Sequence, residues 1–249
     1  MRLGFRAGLG FLRAMFGSSA SRLRLGRSFL FHGLLLGFAG CAAFSLSAAD
    51  ELVPLRIPLP FPSLIGTPSE NSAASNVEKP SLAPRAPILV PSDVTNLAFG
   101  LPVTSSATNA SASDLAKITD GAKEALDKNI VLLLKGPQWI QIDLGGLREI
   151  YAIVVWHAFD KPKVCHGVVV QVADDPAFTK NVRTLFNNDA ANLDGLGAGA
   201  DQEYFETNEG KLIEGKGTRA RCVRLYSDGS TEAKYNQYTE VEIYGRPAQ

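Results

Sequence analysis

Polar and apolar residues alternate along short segments in the second half of the chain. In WIQIDL (139–144), aliphatic residues alternate with Gln141 and Asp143, and the same period of two appears in YTEVEIY (238–244). Successive residues of a strand point to opposite faces of a sheet. These segments are therefore predicted to be strands with one face buried.

Other segments are apolar without alternation. IYAIVVW (150–156) and VVVQV (168–172) are short runs rich in β-branched residues, typical of strands buried on both faces, and ARCVRLY (220–226) is a further predicted strand. The connectors, such as DDP, NND and SDGS, favour turns. Only Leu115 to Lys128 is predicted to hold a short helix. Many short strands separated by turns predict an all-β antiparallel sandwich or barrel.

A long uncharged segment lies near the amino terminus. Phe29 to Leu46 follow the basic stretch RLRLGR and precede the small residues Ser47, Ala48 and Ala49. This order is typical of a secretory signal peptide, so residues 1–49 are predicted to be removed, leaving Asp50 as the mature amino terminus.

Two alternatives to cleavage stay open. The apolar run approaches the roughly 20 residues that span a bilayer, as a single membrane anchor would require. FAGC resembles a bacterial lipobox, which would make Cys41 the site of a lipid anchor. The region before the run is long for a signal peptide, and initiation at Met15 would shorten it.

Proline dominates the next segment. Residues 50–92 hold nine of the 14 prolines, and the stretch SENSAASN within them is small and polar. Proline fixes φ and removes a backbone donor. Residues 50–93 are therefore predicted to be a disordered linker, followed by one folded domain over residues 94–249.

Composition supports this division. Both tryptophans and all six tyrosines lie within residues 94–249, where a core is expected. The formal net charge is +0, but residues 1–49 hold six of the 25 basic residues and no acid, so the remainder has 25 − 6 = 19 basic against 25 acidic residues, a net of −6. A mildly acidic protein is a poor partner for nucleic acid, whose phosphates must be neutralised.

The order of motifs in the domain resembles the discoidin, or coagulation factor 5/8 type C, family. The motifs are ITDG (118–121), WIQIDLG (139–145), IYAIVVWH (150–157), VVVQVADDPAF (168–178), ARCVRLYS (220–227) and TEVEIYG (239–245). The resemblance implies a galactose-binding-like jelly-roll sandwich. It also implies a non-catalytic binding module, most often for carbohydrate and sometimes for phospholipid or protein.

The resemblance further implies a structural calcium ion, held by Asp120 of the DG turn and Glu240, the first glutamate of the last strand. Calcium prefers several hard oxygen ligands, including backbone carbonyls. Asp127 would add a carboxylate where the family pattern has threonine or serine. The alternative is an Asx turn at Asp120 and an exposed carboxylate on the strand.

If the signal is removed after Ala49, two cysteines remain. An even pair in an exported chain predicts a disulfide between Cys165 and Cys222, because the compartment is oxidising. Two buried thiols that pack as small apolar groups are the alternative.

Loops of the predicted sandwich carry side chains suited to a sugar. An aromatic ring packs on the C–H face of a sugar, while amide, imidazole or charged groups bond its hydroxyls. Similar proteins place their sugar sites in loops of these kinds, and we predict a shallow site for a galactose-like residue. The predicted residues are His157, Asp160, Lys161, Tyr235, Asn236 and Tyr238. Alternatively, Tyr235 and Tyr238 pack beneath the loop.

Three functions follow from these observations. The favoured hypothesis is an exported, non-catalytic module for carbohydrate binding or adhesion, in the periplasm, at the cell surface or secreted, with a glycan or cell-surface polysaccharide as its partner. The second is a structural envelope protein that contacts another protein. A hydrolase is least favoured, because no set of nucleophile, acid and base is visible.

Overall fold

The structure, a computed structural model, describes residues 51–62, 76–79, 81 and 83–249. The predicted signal peptide, Met15 and Cys41 lie outside these residues. Across the described part of the chain, no helix combines the length and the apolar character that crossing a membrane would require.

Regular structure in the described residues is almost entirely β. The strands are β1 (Leu52–Pro54), β2 (Leu89–Pro91), β3 (Thr95–Asn96), β4 (Val103–Ser105), β5 (Val131–Lys135), β6 (Gln138–His157), β7 (Val164–Cys165), β8 (Val169–Ala173), β9 (Arg183–Asn187), β10 (Tyr204–Phe205), β11 (Lys211–Ser227) and β12 (Tyr235–Pro247). A single described α-helix, α1, spans Ala112–Leu115 and is followed by a 3₁₀ turn over Ala116–Thr119.

Two long strands, β6 and β11, organise the main sheet. They pair antiparallel from Lys211 opposite Val155 to Ser227 opposite Gln138, with two register shifts between. The first half of β6 also pairs with β4 and its second half with β12. The strand order is β3-β12-β6-β11-β8-β9, with β5 beside β12. Every named strand pair is antiparallel, which confirms the predicted all-β antiparallel sandwich.

Sequence patterns located the strands well and the helix poorly. The two segments predicted at 139–144 and 150–156 are parts of the single strand β6. The helix predicted over Leu115 to Lys128 is wrong, because a capping box starts the helix earlier: Ser111 Oγ accepts from the Asp114 amide, and Asp114 Oδ2 accepts from the Ser111 amide. Gly121, with φ at +86°, then turns the chain away from a helical path.

The inner face of the sheet is apolar. Ile153 of β6 lies opposite Ile213 of β11 on one side and Ile243 of β12 on the other. Ile142 and Val223, from the other halves of β6 and β11, belong to the same buried cluster. Full burial of each such side chain contributes about 1.5–3 kcal/mol, so this face supplies the main core.

The outer face of β6 and β12 is buried as well. Ala152, Val154, Trp156 and Tyr244 form a second apolar cluster there. The Trp156 indole is fully buried, and its Nε1 donates to the Asn208 carbonyl at 2.9 Å. The prediction that IYAIVVW is buried on both faces is confirmed at these residues.

The segment predicted to be a disordered linker supplies this cover. β1 pairs with β2, and Leu55, Ile57 and Ile88 pack against the second apolar cluster. The prediction of a disordered linker is therefore wrong for the described residues 51–62 and 83–93. Prolines occupy only the ends of this two-stranded ladder, where a missing donor is tolerated, and burial of the aliphatic side chains offsets the cost of ordering.

Candidate functional site

The predicted sugar residues gather where β6 ends and β12 begins. His157 is the last residue of β6 and lies opposite Tyr238 of β12. Their ring centroids are 4.7 Å apart, with the rings tilted by 43°. The loop after β6, which carries Asp160 and Lys161, leaves from the same end of the sheet. The topology thus brings together residues separated in sequence.

Two of the six predicted residues are structural. Tyr238 is fully buried, and its hydroxyl lies 2.8 Å from Ser227 Oγ. Asn236 is 1% exposed; its Oδ1 accepts from the Gly229 amide at 2.7 Å, and its Nδ2 donates to the Leu134 and Gly136 carbonyls. The polar groups of both side chains are therefore engaged within the protein, and their contact with a ligand stays a prediction.

Three predicted residues are exposed. Tyr235 is 45% exposed, and Lys135 Nζ lies 4.9 Å from the centroid of its ring. Asp160 and Lys161 are also exposed, and Asp160 Oδ1 accepts from Lys163 Nζ at 2.9 Å. Tyr235 is therefore the one aromatic ring among the predicted residues that a ligand can cover.

A shallow cleft lies beside Tyr235. Its volume of about 10 Å³ is close to that of one water site. The lining residues are His157, Lys163, Cys165, Gly229, Ser230, Tyr235, Asn236 and Gln237. A ligand at this surface would rest on the ring and reach into the cleft with a single polar group.

Beneath the cleft, a buried polar cluster holds His157 in place. His157 Nδ1 lies 3.0 Å from Glu206 Oε2, and the Tyr204 hydroxyl lies 3.4 Å from the same nitrogen. Cys165 Sγ lies 3.6 Å from Glu206 Oε2. The ladder between β7 and β10 sets Tyr204 opposite Cys165, and the Glu206 amide donates to the Lys163 carbonyl. Sequence analysis did not single out Glu206, because no local pattern links it to His157.

Two atoms of this buried cluster have no hydrogen-bond partner among the described residues. They are Nε2 of His157, whose residue is 4% exposed, and Oε1 of Glu206, whose residue is 3% exposed. Burial, together with the Glu206 carboxylate, raises the pKa of the Cys165 thiol well above its usual value. The thiol is thus a poor nucleophile at neutral pH.

The predicted disulfide is wrong. Cys165 and Cys222 are both buried free thiols. Cys165 lies in β7 opposite Tyr204, whereas Cys222 lies in β11 between Asp143 and Ala173. Each lies within its own strand pairing, and the two thiols are not bonded to one another.

The predicted calcium residues are brought together only in part. Glu240 is fully buried; its Oε2 accepts from the Gly121 amide at 3.0 Å, and its Oε1 has no hydrogen-bond partner among the described residues. Burial raises the pKa of Glu240 to about 9. Asp120 and Asp127 are exposed, and Asp120 Oδ1 accepts from the Ala122 amide at 2.8 Å.

The unpartnered oxygen of Glu240 fits a cation next to the Gly121 turn. No group of three side-chain ligands forms around Glu240 among the described residues. Backbone carbonyls would therefore have to supply most of the oxygens. The calcium ion stays a prediction, with Glu240 as its best-supported ligand and Asp127 as its weakest.

The chain matches no protein-family model and no curated protein sequence. Among solved structures, it is similar to the CBM32 module of AlyQ in complex with 4,5-unsaturated mannuronic acid, at 22% identity, 58% coverage of this chain, 95% of that chain and a TM-score of 0.42. It is also similar to chitosan-binding module 1 of a chitosanase/glucanase from Paenibacillus sp. IK-5, at 19% identity, 61% and 99% coverage and a TM-score of 0.37.

A third similar structure is a family 89 glycoside hydrolase from Clostridium perfringens. It shares 16% identity with a TM-score of 0.43, and the match covers 61% of this chain but 15% of the hydrolase. What each of these proteins binds or hydrolyses is a property of that protein. Membership of a family does not follow from these likenesses.

Proposed function

We propose that the protein is a non-catalytic carbohydrate-binding module whose sugar site is the surface formed by Tyr235 and the shallow cleft beside it, here called the Tyr235 surface. The observation that carries the proposal is an exposed aromatic ring next to a cleft small enough for one polar group. The ring packs on the apolar face of a sugar. Lys135, Ser230 and Gln237 supply hydrogen-bonding groups around it.

The buried neighbours make this surface rigid. Asn236 joins the loop at Gly229 to the backbone of β5 and the turn after it, and Tyr238 anchors β12 to Ser227. A ligand that meets an already ordered loop loses less free energy to ordering on binding. These residues therefore support affinity by holding the loop in place.

The arrangement of the polar cluster favours binding over hydrolysis. Cysteine, histidine and glutamate are the residue types of nucleophile–base–acid sets, in which the histidine bridges the other two. Here Glu206 lies between Cys165 and His157 and contacts both through the same oxygen. Cys165 is 2% exposed, so its thiol is not accessible to the bond of a substrate that would be cleaved.

We further propose that the module is exported and meets a glycan or cell-surface polysaccharide. The uncharged run before Asp50 supports export through a cleaved signal, and a lipid anchor at Cys41 is the alternative. Galactose is the first sugar to test, because the order of motifs resembles the discoidin family. Uronic acid and chitosan oligomers complete the panel, since modules of similar structure are described with those sugars.

Calorimetric titration with galactose, oligomannuronate and chitosan oligomers tests the proposal. Tyr235→Ala is expected to lower the affinity about tenfold, or about 1.4 kcal/mol, with an unchanged melting temperature. Phe61→Ala is the matched control, because Phe61 is also an exposed aromatic residue, 86% exposed, outside the Tyr235 surface.

Two results would count against the Tyr235 surface. Equal affinity of wild type and Tyr235→Ala would place the sugar elsewhere. If wild type binds no sugar of the panel, carbohydrate binding loses its support and protein contact becomes the leading function. Asn236→Ala, by contrast, is expected to lower affinity and melting temperature together, because it removes three hydrogen bonds that hold the loop.

A further inference from the structure

The buried polar cluster under the Tyr235 surface contains three metal-binding side chains. One ligand atom from each of His157, Cys165 and Glu206 lies within 4.8 Å of the other two. No other group of three or more such side chains occurs among the residues that the structure describes. All three are buried, at 4%, 2% and 3% exposure.

Distances within this trio suit a small tetrahedral ion. Ligand atoms that surround zinc at its usual bond lengths lie about 3.3 to 3.6 Å from one another. Cys165 Sγ is 3.6 Å from Glu206 Oε2, and His157 Nδ1 is 3.0 Å from the same oxygen. A shift of a few tenths of an ångström would open the second pair to the spacing an ion requires.

The trio also has polar atoms that the protein does not satisfy. Oε1 of Glu206 and Nε2 of His157 are buried without a partner among the described residues. The nearby ammonium of Lys163 is engaged by Asp160 at 2.9 Å and by Gln237 at 3.1 Å, both away from the trio. A buried polar atom left without a partner destabilises the folded state, and a bound cation next to Glu206 would remove that cost at the carboxylate.

Space for a further ligand lies beside the trio. The cleft of about 10 Å³ is lined by His157 and Cys165 and has room for about one water. Three protein ligands and one open position form a common set for zinc. The three ligands come from the end of β6, from β7 and from the residue after β10, so an ion would add a link between β6 and the β7–β10 pair.

We propose that His157, Cys165 and Glu206 bind one divalent transition-metal ion of the zinc class, and that this ion fixes β7 and β10 to the end of β6. Nitrogen, thiolate and carboxylate ligands together favour zinc over calcium or magnesium, which prefer oxygen alone. The thiol loses its proton on binding, and the two negative ligands then balance the charge of the dication. The metal site shares the shallow cleft with the Tyr235 surface, but this proposal does not rest on the binding of a sugar there.

Cobalt(II) titration of the reduced, untagged full chain tests the proposal. Cobalt bound to a thiolate gives a charge-transfer absorption band, which is expected to saturate at about one cobalt per chain and to disappear when zinc is added. Cys165→Ser should abolish the band. Cys222→Ser and Cys41→Ser are the matched controls and should leave it unchanged, because Cys222 is the other buried free thiol and lies outside the trio.

Glu206→Gln keeps the shape of the side chain and is expected to weaken cobalt binding at least about tenfold. If the Cys165→Ser protein does not fold, as judged by circular dichroism, cobalt binding by Glu206→Gln tests the proposal instead. The proposal is overturned if wild type shows no thiolate band, if the band survives Cys165→Ser, if Cys222→Ser or Cys41→Ser removes it, or if Glu206→Gln binds cobalt as tightly as wild type.

Discussion

The two faces of the sheet around β6 are both buried, but their chemistry differs. On the inner face, Ile153 is flanked by Ile213 and Ile243, and every group is apolar. On the outer face, Val154 lies opposite Glu242, and Trp156 lies opposite Glu240. The inner face needs only shape complementarity, whereas the outer face also needs partners for carboxylates.

The outer carboxylates find those partners to different degrees. Glu242 Oε1 accepts from Lys123 Nζ at 2.7 Å, and its Oε2 accepts from the Tyr244 hydroxyl at 2.8 Å. Lys123 Nζ also donates to the Pro58 carbonyl and lies 4.8 Å from the centroid of a Trp156 ring. Glu240, by contrast, keeps one unpartnered oxygen. Lys123, after the 3₁₀ turn, thus supplies the charge for Glu242 only, and the covering segment accepts a hydrogen bond from it through the Pro58 carbonyl.

The largest loss of stability is expected when Glu242 loses the ammonium group of Lys123. Lys123→Met should lower the free energy of unfolding by about 3–5 kcal/mol, because Glu242 is left charged and buried. Urea denaturation measures the loss. The double variant Lys123→Met with Glu242→Gln is expected to recover part of it, and a double variant as unstable as Lys123→Met alone would contradict this account.

A cavity in the inner face should cost somewhat less. Ile153→Ala is expected to lower the free energy of unfolding by about 3 kcal/mol, because the lost burial adds to the cost of the cavity. Leu132→Ala, at a site 49% exposed, is the control and should stay within about 0.5 kcal/mol of wild type. Equal losses at both sites would mean that the inner face is not the main core.

Glu240, which keeps one unpartnered oxygen, gives an effect that depends on pH. The folded-state pKa of Glu240 is raised to about 9, above its value in the unfolded chain. Below pH 4.5 the group is protonated in both states and its contribution is complete; as pH rises toward 9 the folded state binds more protons than the unfolded one, so stability falls. In chelator, thermal melting should show this decline, and Glu240→Gln should remove it.

Calcium would offset part of this decline in wild type. An ionised Glu240 that binds calcium gains about 1.4 kcal/mol when free calcium is tenfold above the dissociation constant. At pH 8, wild type should therefore melt at a higher temperature in calcium than in chelator, whereas Glu240→Gln should melt at the same temperature in both. A melting temperature of wild type that does not respond to calcium would remove the predicted site.

The smallest loss of stability is expected for substitutions in the segment that covers the outer face. Ile57→Ala should cost about 1 kcal/mol, because the side chain is only half-buried against the second apolar cluster. The same change should speed trypsin cleavage after the exposed Arg56, because packing of the neighbouring Ile57 holds this segment against the sheet. Val182→Ala, at an exposed valine on the far edge, is the control; if it speeds cleavage equally, the protection does not come from packing of Ile57.

Sequence patterns predicted most of the sheet because a strand carries its own signal. The unbroken run IYAIVVW indicated burial on both faces, and this already implied that another segment must cover the outer one. Leu55, Ile57 and Leu59 alternate with polar or proline residues, a period of two that proline content concealed. For residues 51–62, the order of the apolar residues therefore indicates the structure better than the proline content does.

The candidate sites were less predictable, because burial of a polar side chain depends on distant residues. Asn236 and Tyr238 have the chemistry of sugar ligands, but their partners in other segments use it internally. Glu206 meets His157 only through the pairing of β7 with β10. Nothing near either residue in sequence indicates that contact.

The pairing of β6 with β11 also has a consequence for cooperativity. Because each of these strands runs through both halves of the sandwich, the pairing of one half continues into the other, with two register shifts between. Opening of one half would therefore remove the neighbouring pairs that hold the other half in register, and the long separation of β6 and β11 in sequence makes closure of the pair slow. Amides at Ile142 and Ile153, in opposite halves, should therefore exchange with solvent at the same opening free energy, equal to that of global unfolding.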